Sequence, residues 1–201
     1  RASVESIVTA GKQATGLCNQ MLAYSGKGKF VIQTLDLSEV VRDTVKMLEV
    51  SIRGRGELSF ELADDLPPVE GDVVQIQQVI MNLVINAGDA LGENGGSITV
   101  RTGVRECDAE FLGGCPIDAR LAEGRYVYLQ VVDTGCGMNE ETRSKIFDPF
   151  FTTKSTGRGL GLASVFGIIR GHHGALRVES TEGRGSTFTA LFPCERADQP
   201  G

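Results

Sequence analysis

Apolar positions recur along this chain with two different periods, and their alternation outlines the elements. From Asp72 to Leu91, residues Ile76, Val79, Ile80, Leu83, Val84, Ala87 and Leu91 fall on one stripe of a 3.6-residue period. That spacing predicts an amphipathic helix. A second helix is predicted up to about Glu49, with Val40, Val41, Val45 and Leu48 on one side and Asp36 or Ser38 as its cap. Residues 3 to 25 carry a thinner stripe (Val4, Ile7, Val8, Leu17, Met21, Leu22), which predicts one long N-terminal helix. Ser25-Gly26-Lys27-Gly28-Lys29 then breaks it as a hinge. Shorter helices are expected over Glu140–Ile146, capped by Asn139, and over Leu160–Arg170. Strands are expected at Leu58–Leu62, Ser97–Val104, Tyr126–Asp133, Ala175–Ser180 and Ser186–Phe192, with a short extended run at Val31–Leu35. Asp64-Asp65-Leu66-Pro67-Pro68 ends the first of these strands, and Arg105–Gly124 reads as a loop. The order is α+β, and consecutive late strands indicate antiparallel pairing under helices.

Composition narrows the class. With 201 residues, 41% hydrophobic and 23% charged, the chain has room for one full domain and a short appendage. Twenty basic against 26 acidic side chains give a net charge of −6. General attraction to nucleic acid or to an anionic membrane is therefore not expected, and an anionic ligand must be held by local groups. No apolar run reaches membrane-spanning length, and Arg1-Ala2-Ser3 does not open a signal peptide. A chain starting at Arg1 is expected to be a piece of a longer protein. Cys18, Cys107, Cys115, Cys136 and Cys194 are odd in number and form no CxxC pair. That argues for a reducing, cytoplasmic setting and against a disulfide scaffold or a zinc site.

The candidate chemistry lies in glycine-rich and amide-bearing segments. Asn82, Asn86 and Asp89, spaced by four and three, share one helix face beside the apolar stripe. An amide oxygen there suits Mg²⁺, which keeps water and substrate phosphates as its other ligands; the plainer reading is a solvated face. Asp133 ends an apolar strand and is followed by Gly135-Cys136-Gly137. Its carboxylate suits the exocyclic amine of adenine, while the glycines alone would make an ordinary turn. Gly157-Arg158-Gly159-Leu160-Gly161-Leu162 opens an apolar helix whose first N–H groups suit phosphate, with Arg158 and Lys154 able to add charge. It is not a P-loop, because no Gly-Lys-Ser/Thr follows. In Phe147-Asp148-Pro149-Phe150-Phe151-Thr152-Thr153-Lys154, three phenylalanines either anchor a lid or plug the core. Gly183-Arg184-Gly185-Ser186-Thr187-Phe188 leads the last strand as a hairpin turn.

Taken in order, these segments are Asn82-x-x-x-Asn86-Ala-Gly-Asp89-Ala, Asp133-x-Gly-x-Gly, Asp148-Pro-Phe-Phe-Thr-Thr-Lys, Gly157-x-Gly-x-Gly-Leu and Gly185-Ser-Thr-Phe. The set resembles the N, G1, F, G2 and G3 boxes of the catalytic ATP-binding domain of two-component sensor histidine kinases, over residues 30 to 195. Residues 14 to 25 are similar to the second helix of those kinases' dimerisation and phosphotransfer hairpin. The short lid and the Asn-Ala-x-Asp-Ala form resemble the nitrogen-regulator-like and hybrid subgroup. The resemblance implies a Bergerat-type α/β sandwich, a mixed, mostly antiparallel sheet with helices on one face. It implies ATP and Mg²⁺, with Asn86 on the metal, Asp133 on adenine and Asn82 on the phosphate side. Gly159 and Gly161 would serve lid and phosphates, and Ser186 would sit near the base. The implied nucleotide-binding set also includes Asp89, Gly135, Gly137, Phe150, Lys154, Arg158, Leu160, Leu162 and Thr187.

By the same resemblance, residues 1–26 would be part of the phosphotransfer hairpin, 30–195 the catalytic domain and 196–201 a tail. The γ-phosphoryl of ATP would pass to a histidine on the hairpin's other helix, then to an aspartate of a response-regulator receiver domain. The intact protein would be a homodimer through the hairpin, with a membrane anchor left open. Three features depart from the pattern. No phospho-acceptor histidine is present: His172 and His173 sit in a helix-to-strand turn and read as structural or solvated. Asn82 stands where the related gyrase, mismatch-repair and chaperone ATPases place a catalytic glutamate. Without a carboxylate, water is poorly activated, which favours phosphoryl transfer to an amino acid over rapid hydrolysis. Asp89 stands where many of these kinases carry a lysine. Cys136, next to the adenine position, reads either as an alkylation-sensitive thiol or, more simply, as a small buried one. The alternatives are an ATPase of the gyrase–chaperone superfamily and a nucleotide-sensing module without kinase activity.

Overall fold

In the computed structural model, residues 31–52, 56–116, 121–154 and 159–194 are described. The expected N-terminal helix, its hinge, the tail and Arg158 lie outside them. The elements run β1 (Gln33–Leu35), α1 (Leu37–Ile52), β2 (Glu57–Glu61), β3 (Val69–Gly71), α2 (Val73–Leu91), β4 (Ser97–Cys107), α3 (Ala109–Gly113), β5 (Gly124–Asp133), α4 (Glu140–Lys145), α5 (Gly161–Gly171), β6 (Ala175–Thr181) and β7 (Gly185–Pro193). A 3₁₀ turn, Gly92–Asn94, extends the end of α2.

Helix starts are set by side-chain oxygens that satisfy otherwise unpaired N–H groups. Asp36 caps α1, its Oδ1 accepting from the Ser38 and Glu39 amides at 2.7 and 3.2 Å. Ser38 is engaged elsewhere, its hydroxyl bonding the Ala63 carbonyl and the Thr102 hydroxyl. Asp72 caps α2 through Val74 and Gln75, and Asn139 caps α4 through Thr142.

Five strands form one sheet in the order β2-β4-β5-β7-β6. Only β2 and β4 run parallel; the other neighbours are antiparallel. Odd residues of β5 (Val127, Leu129, Val131) and even residues of β4 and β7 (Ile98, Val100, Phe188, Ala190, Phe192) face one side. There they meet the stripe of α2, Val41 and Val45 of α1, and Val165, Ile168 and Ile169 of α5 in one buried core. The three long helices therefore share one face of a mixed, mostly antiparallel sheet, as expected.

Two expectations need correction. The stretch Arg105–Gly124 is not all loop. β4 and β5 extend to the pair Cys107↔Gly124, and Asp108 caps the short α3 by accepting from Phe111. The charged Arg105 and Glu106 broke the apolar pattern because both faces of β4 are exposed there, Arg105 on one and Glu106 on the other. α3 lies on that opposite face, where Leu112 packs with Cys107, Tyr126 and Leu191. The Arg105 and Arg177 guanidinium carbons sit 3.9 and 4.5 Å from the Phe111 ring centre. The second correction is an added strand: β3 pairs antiparallel with β1, Leu35 opposite Val69. Three residues are too few to show a period.

Candidate nucleotide-binding site

The end of α2, the turn after β5 and the β6–β7 hairpin are drawn together by glycines. A Cβ on Gly135 would lie 2.5 Å from the Ala90 carbonyl of α2. Gly137 (φ 62°) and Gly185 (φ 97°) adopt backbone that L side chains avoid, and a Cβ on either would collide with the carbonyl of Thr181 or Asp133. The Cys136 amide donates to the Ala90 carbonyl at 2.9 Å, and the Gly183 amide donates to the Cys136 carbonyl at 2.7 Å. This clasp holds the buried Asp133 at one end of a cavity of about 720 Å³, a size suited to a small-molecule ligand.

Asp133 is 4% exposed, and its Oδ1 accepts from the Gly135 amide at 2.8 Å. Burial pushes its carboxyl above the usual aspartate range, while the amides of Gly135 and Ser186 pull the other way. A carboxylate has about four acceptor positions, so it retains capacity for a ligand donor. Ile146, Met138 and Phe188 give the surrounding wall an apolar character suited to a flat ring.

The other end of the cavity is polar. α5 begins there with no side-chain cap, and Gly161 and Leu162 of its first turn line the space. Uncapped amides at the start of an eleven-residue helix provide donors and partial positive charge for an anion. Asn82 ties α5 to α2, its Nδ2 donating to the Gly161 carbonyl at 3.2 Å. Asn86 and Asp89 line the cavity one and two turns further along α2. The Lys154 ammonium lies 2.9 Å from Asn86 Oδ1 and 2.8 Å from Asp89 Oδ2. These oxygens already attract a cation, which is the donor chemistry a hard divalent ion takes.

Of the residues singled out in the sequence, Asn86, Asp89, Asp133, Gly137, Lys154, Gly159, Leu160, Gly161, Leu162 and Ser186 line this cavity. Asn82, Gly135, Phe150 and Thr187 lie outside its lining. Asn82 and Gly135 brace the walls. Thr187 is on the alternate face of β7, between the inward Ser186 and Phe188. Phe150 is 59% exposed with φ 70°, whereas Phe151 lines the cavity and Phe147 packs on Phe166 with ring centres 5.2 Å apart. Cys136 corrects the expectation of a buried thiol: it is exposed and lines the cavity. Asn139, Thr142 and Glu182 also line it and were not singled out. Local sequence marks Asn139 only as a helix cap and marks Thr142 and Glu182 not at all, since a short helix and a turn are brought to the cavity only by the tertiary fold.

The chain belongs to the family described as histidine kinase-, DNA gyrase B-, and HSP90-like ATPase, whose model matches residues 71–196. Within that family it is an ATP-binding domain of the sensor histidine kinase type. Sensor kinase CckA of Brucella abortus is 39% identical over 194 residues, which is 94% of this chain and 20% of that protein. The catalytic domain of histidine kinase ThkA is 32% identical with a TM-score of 0.62, over 81% of this chain and 97% of that one. ThkA in complex with response regulator TrrA is 28% identical with a TM-score of 0.66, over 97% of this chain and 51% of that one. The chain thus spans about a fifth of the length of the curated relative CckA.

Proposed function

We propose that residues 30–195 form the catalytic unit that transfers the γ-phosphoryl of ATP to a histidine, for relay to an aspartate of a response regulator. The observation that carries this reading is one cavity with a buried carboxylate at one end and an uncapped helix start beside Asn86 at the other. Those ends fit an adenine amine and a polyphosphate. Asp133 accepts from the base amine and orients the ring; the first amides of α5, with Lys154, hold the phosphates. Arg158, outside the described residues, is assigned to the terminal phosphate on the sequence resemblance alone. Mg²⁺, held by Asn86 Oδ1 and phosphate oxygens, would supply charge neutralisation. The protein's contribution is positioning and electrostatic stabilisation, as in phosphoryl transfer generally.

An asparagine at position 82, bonded to the Gly161 carbonyl, supports transfer over hydrolysis, because an amide cannot take a proton from water. ThkA's complex with TrrA supports a response-regulator receiver domain as partner. The homodimer, the hairpin boundary at residue 26 and the cytoplasmic setting, where ATP is available, belong to the same proposal. Calorimetry tests the binding half: ATP should bind with Mg²⁺ and GTP should bind poorly. No heat and no thermal shift at millimolar ATP would remove the reading.

A further inference from the structure

We propose that the Lys154 ammonium occupies the divalent-cation position of the nucleotide-free domain, so that a metal–nucleotide enters by exchanging one cation for another. The inference rests on the ATP-site reading above and adds a device to it. Lys154 Nζ contacts Asn86 Oδ1 and Asp89 Oδ2 at 2.9 and 2.8 Å, two oxygens three residues apart on one face of α2. A compact ammonium and a divalent ion cannot share those oxygens, since like charges a few ångströms apart repel strongly. Lys154 must leave whenever a metal takes Asn86.

The latch is built to be exchangeable. The lysine is 37% exposed and Asp89 31%, so the ion pair is solvent-screened and worth no more than about fivefold in an equilibrium. The segment carrying it is held from behind. Phe151 packs on the core, and the Phe150 amide donates to the Gly159 carbonyl at 2.8 Å. The ammonium alone therefore moves, on a flexible four-carbon stem, within one cavity. With a triphosphate it finds new anionic oxygens at the helix start; with a diphosphate it loses Asn86 and gains fewer. Lys154 consequently favours Mg-ATP over Mg-ADP and helps expel the product.

Calorimetry on wild type and Lys154→Met with Mg-ATP, Mg-ADP and metal-free ADP tests this. The variant should bind Mg-ADP about three- to fivefold more tightly, bind Mg-ATP no more tightly, and show no tightening for metal-free ADP. Equal weakening of Mg-ATP and Mg-ADP, or no change in Mg-ADP, would overturn the proposal. A second arm needs no nucleotide: the rate of Lys154 acetylation by an N-hydroxysuccinimide ester, read by peptide mass spectrometry. Asp89→Asn should raise that rate severalfold in the free protein, and equal rates overturn the latch. If wild type binds no adenine nucleotide, the ATP-site reading fails, and the acetylation arm still decides whether Lys154 is latched.

Discussion

Asp133 meets two opposed demands. Burial makes its charge costly, yet the proposed adenine recognition uses that charge. Its carboxyl titrates above the ordinary 3.8 because it is desolvated. The native state therefore binds this proton more tightly than the unfolded chain. The resulting stabilisation is present in acid and is lost as pH rises through the raised value. Adenine binding runs the other way, because the protonated acid surrenders acceptor capacity. ATP affinity should fall as pH drops through that same window, starting at a higher pH than an ordinary aspartate would give. Asp133→Asn presents a donor to the base amine and should cost about 1–3 kcal/mol of ATP affinity. Calorimetry should show that loss with a flattened pH profile, and the free variant should melt no lower than wild type. The glycines behind Asp133 make a separate case. Gly185→Ala places a Cβ against the Asp133 carbonyl at φ 97°, so it should lose at least about 1–3 kcal/mol in urea denaturation. Wild-type stability would mean that the turn can reopen without cost.

The elements that carry the site are joined at a buried histidine. His172, just past α5, accepts the Asp72 amide at its Nε2 (3.0 Å), and its Nδ1–H donates to the Ile168 carbonyl at 2.8 Å. Asp72 caps α2 and also accepts the Val31 amide at 2.9 Å. One junction thus fixes the start of α2, which bears Asn82, Asn86 and Asp89, against the end of α5, whose other end lines the cavity. Burial holds the His172 imidazole below its ordinary 6.5, although Ile168 and Asp72 oppose this; His173 adds to the lowering. The unfolded chain takes up this proton first, so stability is full above about pH 6.5 and falls as pH drops through the window below. His172→Ala should cost about 1–3 kcal/mol at neutral pH by stranding the Asp72 amide, and should flatten the acid slope of thermal melts. An unchanged slope would mean that His172 is not the group responsible. This junction shows where the sequence was legible. α2 was readable because a nineteen-residue stripe outweighs local ambiguity, Asn86 because its spacing from Asn82 and Asp89 puts the three on one face, and Asp133 because Gly135 and Gly137 follow it. The bond from His172 to Asp72 was not, since it joins positions 100 apart and no local pattern records it. β3 was missed for the same reason: its strand character comes from pairing with β1.

At the scale of the whole molecule, the proposed function has the site prepare a phosphoryl group for an acceptor, and neither histidine of this chain reaches that group in its own copy. Phosphoryl transfer needs an imidazole nitrogen in line with the γ-phosphate, and placement of that nucleophile decides the rate. Both His172 nitrogens are engaged in the core, and the ring is 5% exposed. His173 is exposed, but it follows α5 at the end away from Gly161. Eleven residues at 1.5 Å each put the two ends about 16 Å apart, far beyond bonding distance. On the same proposal water is a poor substitute acceptor, because position 82 carries an amide where the sequence resemblance puts the carboxylate of the related ATPases. Incubation of this chain with radiolabelled ATP and Mg²⁺ should therefore yield no acid-labile phosphohistidine and little free phosphate. Adding a phosphotransfer hairpin that carries the parent protein's histidine should switch labelling on. That labelling should be lost in the hairpin's His→Gln variant and in Asp133→Asn. Robust label on His172 or His173 would require the α5 junction to open, and that result would overturn both the acceptor assignment and the bracing role of the buried imidazole.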